Sequence, residues 1–97
     1  MTQGYIVKGA SASGKPAYLI VSASFHIPST CGYHRSDFMA SVWPDEASAR
    51  KARAKYLAHV RACRARDNGA EEARVAAYQV VLASECTLPA YEMKAAP

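Results

Sequence analysis

Apolar and polar residues alternate from Ala17 to His26. Odd positions Ala17, Leu19, Val21, Ala23 and Phe25 are apolar; even positions carry Tyr18, Ser22, Ser24 and His26, with Ile20 the exception. A period of two marks a strand with one face buried. Upstream, Tyr5-Ile6-Val7-Lys8 is short and β-prone. The turn cluster Ser11-Ala12-Ser13-Gly14-Lys15-Pro16 between the two predicts a hairpin. Residues 27–36, with Pro28 and Gly32, read as a loop. Asp37 to Trp43 alternates again, with Phe38, Ala40 and Val42 pointing one way and Met39, Ser41 and Trp43 the other, and predicts a third strand.

Pro44-Asp45-Glu46 opens a helix. Asp45 is the expected N-cap, and both carboxylates suit the positive helix end. The helix is expected to run to Arg66, where Asp67-Asn68-Gly69 stops it. Residues 70–85 read two ways. Their start is rich in alanine and glutamate and favours helix; Tyr78-Gln79-Val80-Val81-Leu82 favours strand. A strand from Val75 to Ala83 closes a β-β-β-α-β unit: a three-stranded antiparallel sheet, one long basic amphipathic helix and a final strand, of α+β class. A second helix antiparallel to the first is the alternative. Residues 87–97, with Pro89 and Pro97, are expected to be loose, outside an ordered core of residues 4–84 in a single domain spanning 1–97.

Composition narrows this picture. The chain has 97 residues and is 51% hydrophobic, but it holds only two Phe and one Trp, so its core is thin. A domain of this size buries about 60–70% of the surface its unfolded chain exposes. Docking on a partner adds stability to such a core. No apolar stretch reaches the roughly 18 residues of a membrane span. The first residues show neither the basic nor the apolar region of a secretory signal. Cys31, Cys63 and Cys86 are odd in number and widely spaced, which argues against a disulfide framework and for a reducing, cytoplasmic setting.

Charge adds more. Residues 45–66 carry Arg50, Lys51, Arg53, Lys55, Arg61, Arg64 and Arg66 against Asp45 and Glu46, a balance of +5 in a chain of net +4. The remaining residues therefore sum to −1. At about 100° per residue, Ala49, Ala52, Tyr56, Val60 and Cys63 fall on one stripe that should face the sheet. Arg50, Arg53, Arg61 and Arg64 lie along its flank with Leu57 among them, and Ala47, Ala54, Ala58, Ala62 and Ala65 form the far face. Such an arginine row fits phosphates or an acidic protein patch; it also fits a plain solvated helix.

Specific chemistries find little support. Gly9 to Lys15 matches most of a phosphate-binding loop, but Pro16 stands where the magnesium-binding hydroxyl belongs and a strand follows where a helix should. A hairpin turn explains the same residues, so no nucleotide cofactor is expected. His26, Cys31 and His34 share one loop, while His59 and Cys63 sit one helical turn apart. Zinc wants four ligands in two tight pairs, and a polar loop plus a buried thiol at Cys63 accounts for the same residues. Cys31 and His34 as thiolate and base lack an orienting third group. Glu71-Glu72 do not form a carboxylate pair on either reading of their segment. An enzyme is not expected. Tyr5, Tyr18, Tyr33 and Trp43 could stack bases, yet no nucleic-acid-binding signature accompanies them. Tyr33 and Arg35, in the loop before the third strand, are the kind of residues that anchor protein interfaces.

Hairpin, third strand, the junction Trp43-Pro44-Asp45-Glu46-Ala47 into an alanine-rich helix and a final element form a layout over residues 4–84. It resembles small phage and mobile-element proteins, anti-CRISPR inhibitors among them. The resemblance implies a compact, non-catalytic inhibitor that blocks a larger nucleoprotein machine by docking. Inhibitors that mimic DNA are acidic; this basic chain would instead occupy a protein groove or an acidic patch. The expected function is thus a binding protein that contacts a larger protein or nucleoprotein partner through Arg50, Arg53, Arg61, Arg64, Tyr33 and Arg35. The alternatives are a nucleic-acid-binding module using the same arginines and a small zinc or thiol protein built on His26, Cys31 and His34. A homodimer through an edge strand or the alanine face is compatible with either binding role.

Overall fold

The computed structural model describes residues 4–21, 28–31, 39–63, 69–86 and 88–97. The chain is a small α+β fold with an antiparallel sheet and two helices. Strands β1 (Tyr5–Ala10), β2 (Pro16–Ile20) and β3 (Ser29–Cys31) are followed by β4 (Ala40–Val42), helices α1 (Glu46–Ala62) and α2 (Ala70–Ala76), and strands β5 (Gln79–Leu82) and β6 (Met93–Ala95). The main sheet has the order β3-β2-β1-β5, antiparallel throughout. β4 and β6 form a separate parallel pair. Among the described residues no helix is long and apolar enough to cross a membrane.

The expected hairpin forms. Ser11 N–H donates to the Lys15 carbonyl at 2.8 Å and Gly14 N–H to the Ser11 carbonyl at 2.9 Å. Gly14 sits at φ 83°, a conformation that residues with a Cβ rarely adopt. Residues 9–15 therefore turn one strand back on the next, rather than leading a strand into a phosphate-binding helix.

The sheet is covered on both faces. Val7, Ala17 and Leu19 meet Ala49, Tyr56, Leu57 and Val60 of α1, with Val75, Tyr78 and Trp43. On the opposite face Ile6, Tyr18 and Ile20 meet Ala40 and Ala83, and Val42, Leu88 and Met93 pack onto them. Ala17 to Ile20 are consequently all buried. This corrects the half-buried reading of β2 and makes Ile20 part of the rule instead of an exception to it. Tyr18, only 3% exposed, is core and not a base-stacking platform.

Three further expectations are corrected. Residues 75–83 are not one strand: Ala70–Ala76 is helix and Gln79–Leu82 is strand, each half following its own propensity across the break at Ala77-Tyr78. Among the described residues the main sheet has four strands, because Ser29–Cys31 adds to β2 and β5 adds to β1, while β4 joins β6 and Trp43 bridges to Tyr5. Trp43 and Tyr5 exchange both backbone hydrogen bonds at 2.8 Å. Residues 93–95 are not loose, since the uncovered apolar face of β1 and β2 recruits them as β6. α1 ends at Ala62 with Cys63 as its C-cap; the expected continuation to Arg66 falls outside the described residues, as do Asp37 and Phe38 of the third strand.

Ser41 ties the layers together. Its hydroxyl accepts from Val21 N–H at 2.7 Å and donates to the Val21 carbonyl at 3.2 Å, and the residue is 2% exposed. It completes the hydrogen bonding of the backbone where β2 ends. Ser41→Ala strips both partners from Val21 and is expected to cost about 1–3 kcal/mol of stability. Urea unfolding should show a lower midpoint with an unchanged slope.

Candidate functional site

α1 begins as its sequence dictates: Asp45 accepts from Ser48 N–H at 2.7 Å and from the Ser48 hydroxyl at 3.1 Å. Its buried side centres on Ala49, Tyr56, Leu57 and Val60. Leu57, expected among the arginines, is core, and Cys63, expected in the core, is exposed. The true stripe is rotated toward Leu57, which carries Arg53 to the sheet side. Ala47, Lys51, Ala54, Lys55, Ala58 and Ala62 all face solvent.

The arginines divide by partner. Arg50 pairs with Glu46 one turn earlier at 2.7 Å, with 64% of its side chain exposed. Arg61 reaches across to Glu72 of α2 at 2.7 Å. Arg53 points inward: its Nε donates to the Tyr78 carbonyl at 2.7 Å and its Nη2 to the Ala76 carbonyl. One planar fork thus satisfies two carbonyls released where α2 ends. Arg53 thereby braces the junction between α2 and β5. Arg64, Tyr33 and Arg35 lie outside the described residues, as do His26 and His34, and Cys31 is placed only as part of β3. Lys51 and Lys55, absent from the expected contact set, are exposed and form no ion pair with a described residue.

A small cavity of about 140 Å³ lies between the hairpin turn and α2. Ser11, Thr30, Tyr56, Glu71, Arg74 and Tyr78 contribute to its lining. Burial pushes the Tyr78 phenol up from 10.0 to about 12; the neighbouring Tyr56 and Glu71 add to the rise, and Arg74 and a hydrogen bond with Thr30 oppose it. The Tyr78 ring lies on Gly9, where a Cβ would stand inside the ring. A phenol held this way is neutral at physiological pH and serves as a hydrogen-bonding group, not as a base. The pattern of chemistry-bearing residues did not single out Tyr78 or Arg74; the apolar neighbours of Tyr78 marked it only as a strand residue.

His59 and Cys63 meet at 4.0 Å on the exposed end of α1. Among the described residues no group of three or more His, Cys, Asp or Glu is placed to hold a metal ion. Cys86 is half-buried and accepts from Leu88 N–H at 3.4 Å.

Two measurements test this arrangement. Arg53→Ala should cost about 1–2 kcal/mol, because two carbonyls lose a charged donor, whereas Arg50→Ala should cost no more than about 0.5 kcal/mol, as exposed pairs along a helix do; urea titrations of both variants read the difference. Tyr78 makes stability depend on alkaline pH. Its folded pKa lies above the unfolded value, so its contribution is intact below pH 10 and is lost as pH rises through about 12. Melting temperatures measured from pH 9 to pH 12 should fall less steeply in Tyr78→Phe than in the parent. Comparison of the chain with protein-family models, with curated proteins and with solved structures finds no match.

Proposed function

We propose that this chain is a small, non-catalytic binding protein that docks on a larger protein or nucleoprotein partner through the outward face of α1. The observation that supports this is the stripe of Ala47, Lys51, Ala54, Lys55, Ala58 and Ala62: small side chains and two lysines along one exposed helix side. Alanines let a partner's backbone or helix approach closely, and the lysines favour an acidic surface on it. Arg50 and Arg61 border the stripe, each with a carboxylate beside it. That mixed rim matches the polar edge of a protein interface better than a run of phosphates, which Glu46 and Glu72 would repel. Inhibition of a host defence complex in the cytoplasm, the role of anti-CRISPR proteins, is the setting we infer from the layout of the chain.

Salt separates protein docking from nucleic-acid binding. Four free arginines on B-DNA would give a log–log salt slope of about −3 to −4. On the outward face of α1, among the described residues, Lys51 and Lys55 are the bases with no carboxylate beside them, so the slope expected from that face is no steeper than about −2. Lys51→Glu with Lys55→Glu should abolish retention of the partner while leaving the melting temperature unchanged. Retained binding in that variant, or a steep salt slope for duplexes of any sequence, overturns the proposal.

A further inference from the structure

Among the described residues the main sheet ends at β5, with β1 on one side and no strand on the other. The register fixes which groups project from that side. Tyr5 gives both its backbone bonds to Trp43, so the Tyr5–Leu82 pair is a non-hydrogen-bonded one. Pairs alternate along an antiparallel ladder, so Ile6–Val81 and Lys8–Gln79 exchange bonds, and Val7–Val80 does not. The N–H and C=O groups of Val80 and Leu82 therefore point out of the sheet. Leu82 is 38% exposed, a large apolar side chain at this edge. Nearer the start of the strand the same edge is closed, because Arg53 occupies the Tyr78 carbonyl. The open stretch is short and sharply bounded.

Beside it lies a groove of about 450 Å³. Ala10, Ala77 and Val81 give it an apolar floor, Gln79 and Arg74 polar walls, and Lys8 a positive charge; among the described residues no acidic side chain lines it. We propose that the β5 edge binds an extended acidic segment of a partner protein, which adds as a fifth strand with a carboxylate side chain directed to Lys8 in this groove. Main-chain bonds to Val80 and Leu82 supply the pairing, and the groove selects the side chains, the division of labour usual in strand addition. An added strand would lie about 9.5 Å from β1, two strand spacings, a gap that the Lys8 side chain and a glutamate side chain of the added strand span between them. This site is on a different element from the outward face of α1 and stands or falls without it.

The probe is an end-blocked octapeptide in which threonine and valine alternate with glutamate; its counterpart carries lysine in place of glutamate. Amide exchange of the full chain is followed by NMR. The acidic peptide should slow exchange at Val80 and Leu82, and the lysine peptide should not. Leu82→Pro removes one outward donor without touching the β1 ladder. Leu82 already has φ −65°, the angle proline imposes. This variant should weaken the acidic peptide by about tenfold or more, with the Gln79 and Val81 amides still protected as proof of folding. Lys8→Gln leaves the backbone untouched and should weaken it about threefold. Equal binding of both peptides, no binding at millimolar concentration, undiminished binding to both variants, or protection of Val80 and Leu82 that rises with protein concentration alone would each overturn the proposal; the last would mark the edge as a contact between copies of the chain.

Discussion

Everything in this fold answers to one constraint: β2 presents apolar side chains to both sides at once. Ala17 and Leu19 need cover on one face, Tyr18 and Ile20 on the other. A strand in the middle of an antiparallel sheet usually has one solvated face, and a chain of 97 residues has little material for two covers. α1 serves the first face with Tyr56, Leu57 and Val60. The second is served by pieces: β4, the turn at Ala83–Glu85, Leu88 and β6. The closing segment of the chain is ordered because an apolar face waits for it, and not because its own sequence favours a strand.

That is also why it was hard to read in advance. The hairpin and the helix start at Asp45 are legible, since each rests on local chemistry: a turn cluster with a glycine at positive φ and a capping carboxylate. Met93–Ala95 pairs with a strand some fifty residues earlier, and no local pattern announces that. Residues 70–82 resist a single assignment for a different reason. A seven-residue helix and a four-residue strand lie almost end to end, so a window wide enough to show periodicity averages the two.

The candidate site was legible in its charge and not in its geometry. The helix that holds the bases was identified, but a shift of the buried stripe by one position exchanges what its residues do. Leu57 becomes core and Arg53 becomes a brace for the α2–β5 junction. Of the remaining expected contacts within the described part of the helix, Arg50 and Arg61 meet carboxylates. A formal count of bases therefore overstates the field that a partner meets, because each pair presents a dipole and not a unit charge. Lys51 and Lys55, which pair with no described carboxylate, matter more than their number suggests.

The same brace links the two proposed surfaces mechanically. Arg53 and the Arg61–Glu72 pair both run from α1 to the segment that leads into β5, and Tyr78 seats that segment on Gly9. Replacing the bases of α1 together would thus strip the outward face of charge and unfasten the β5 edge in one step. A loss of binding in such a variant would be ambiguous between the two. Substitutions at Lys51 and Lys55 touch only the face, and Leu82→Pro touches only the edge. The structure therefore separates by position what the helix charge, taken as a whole, confounds.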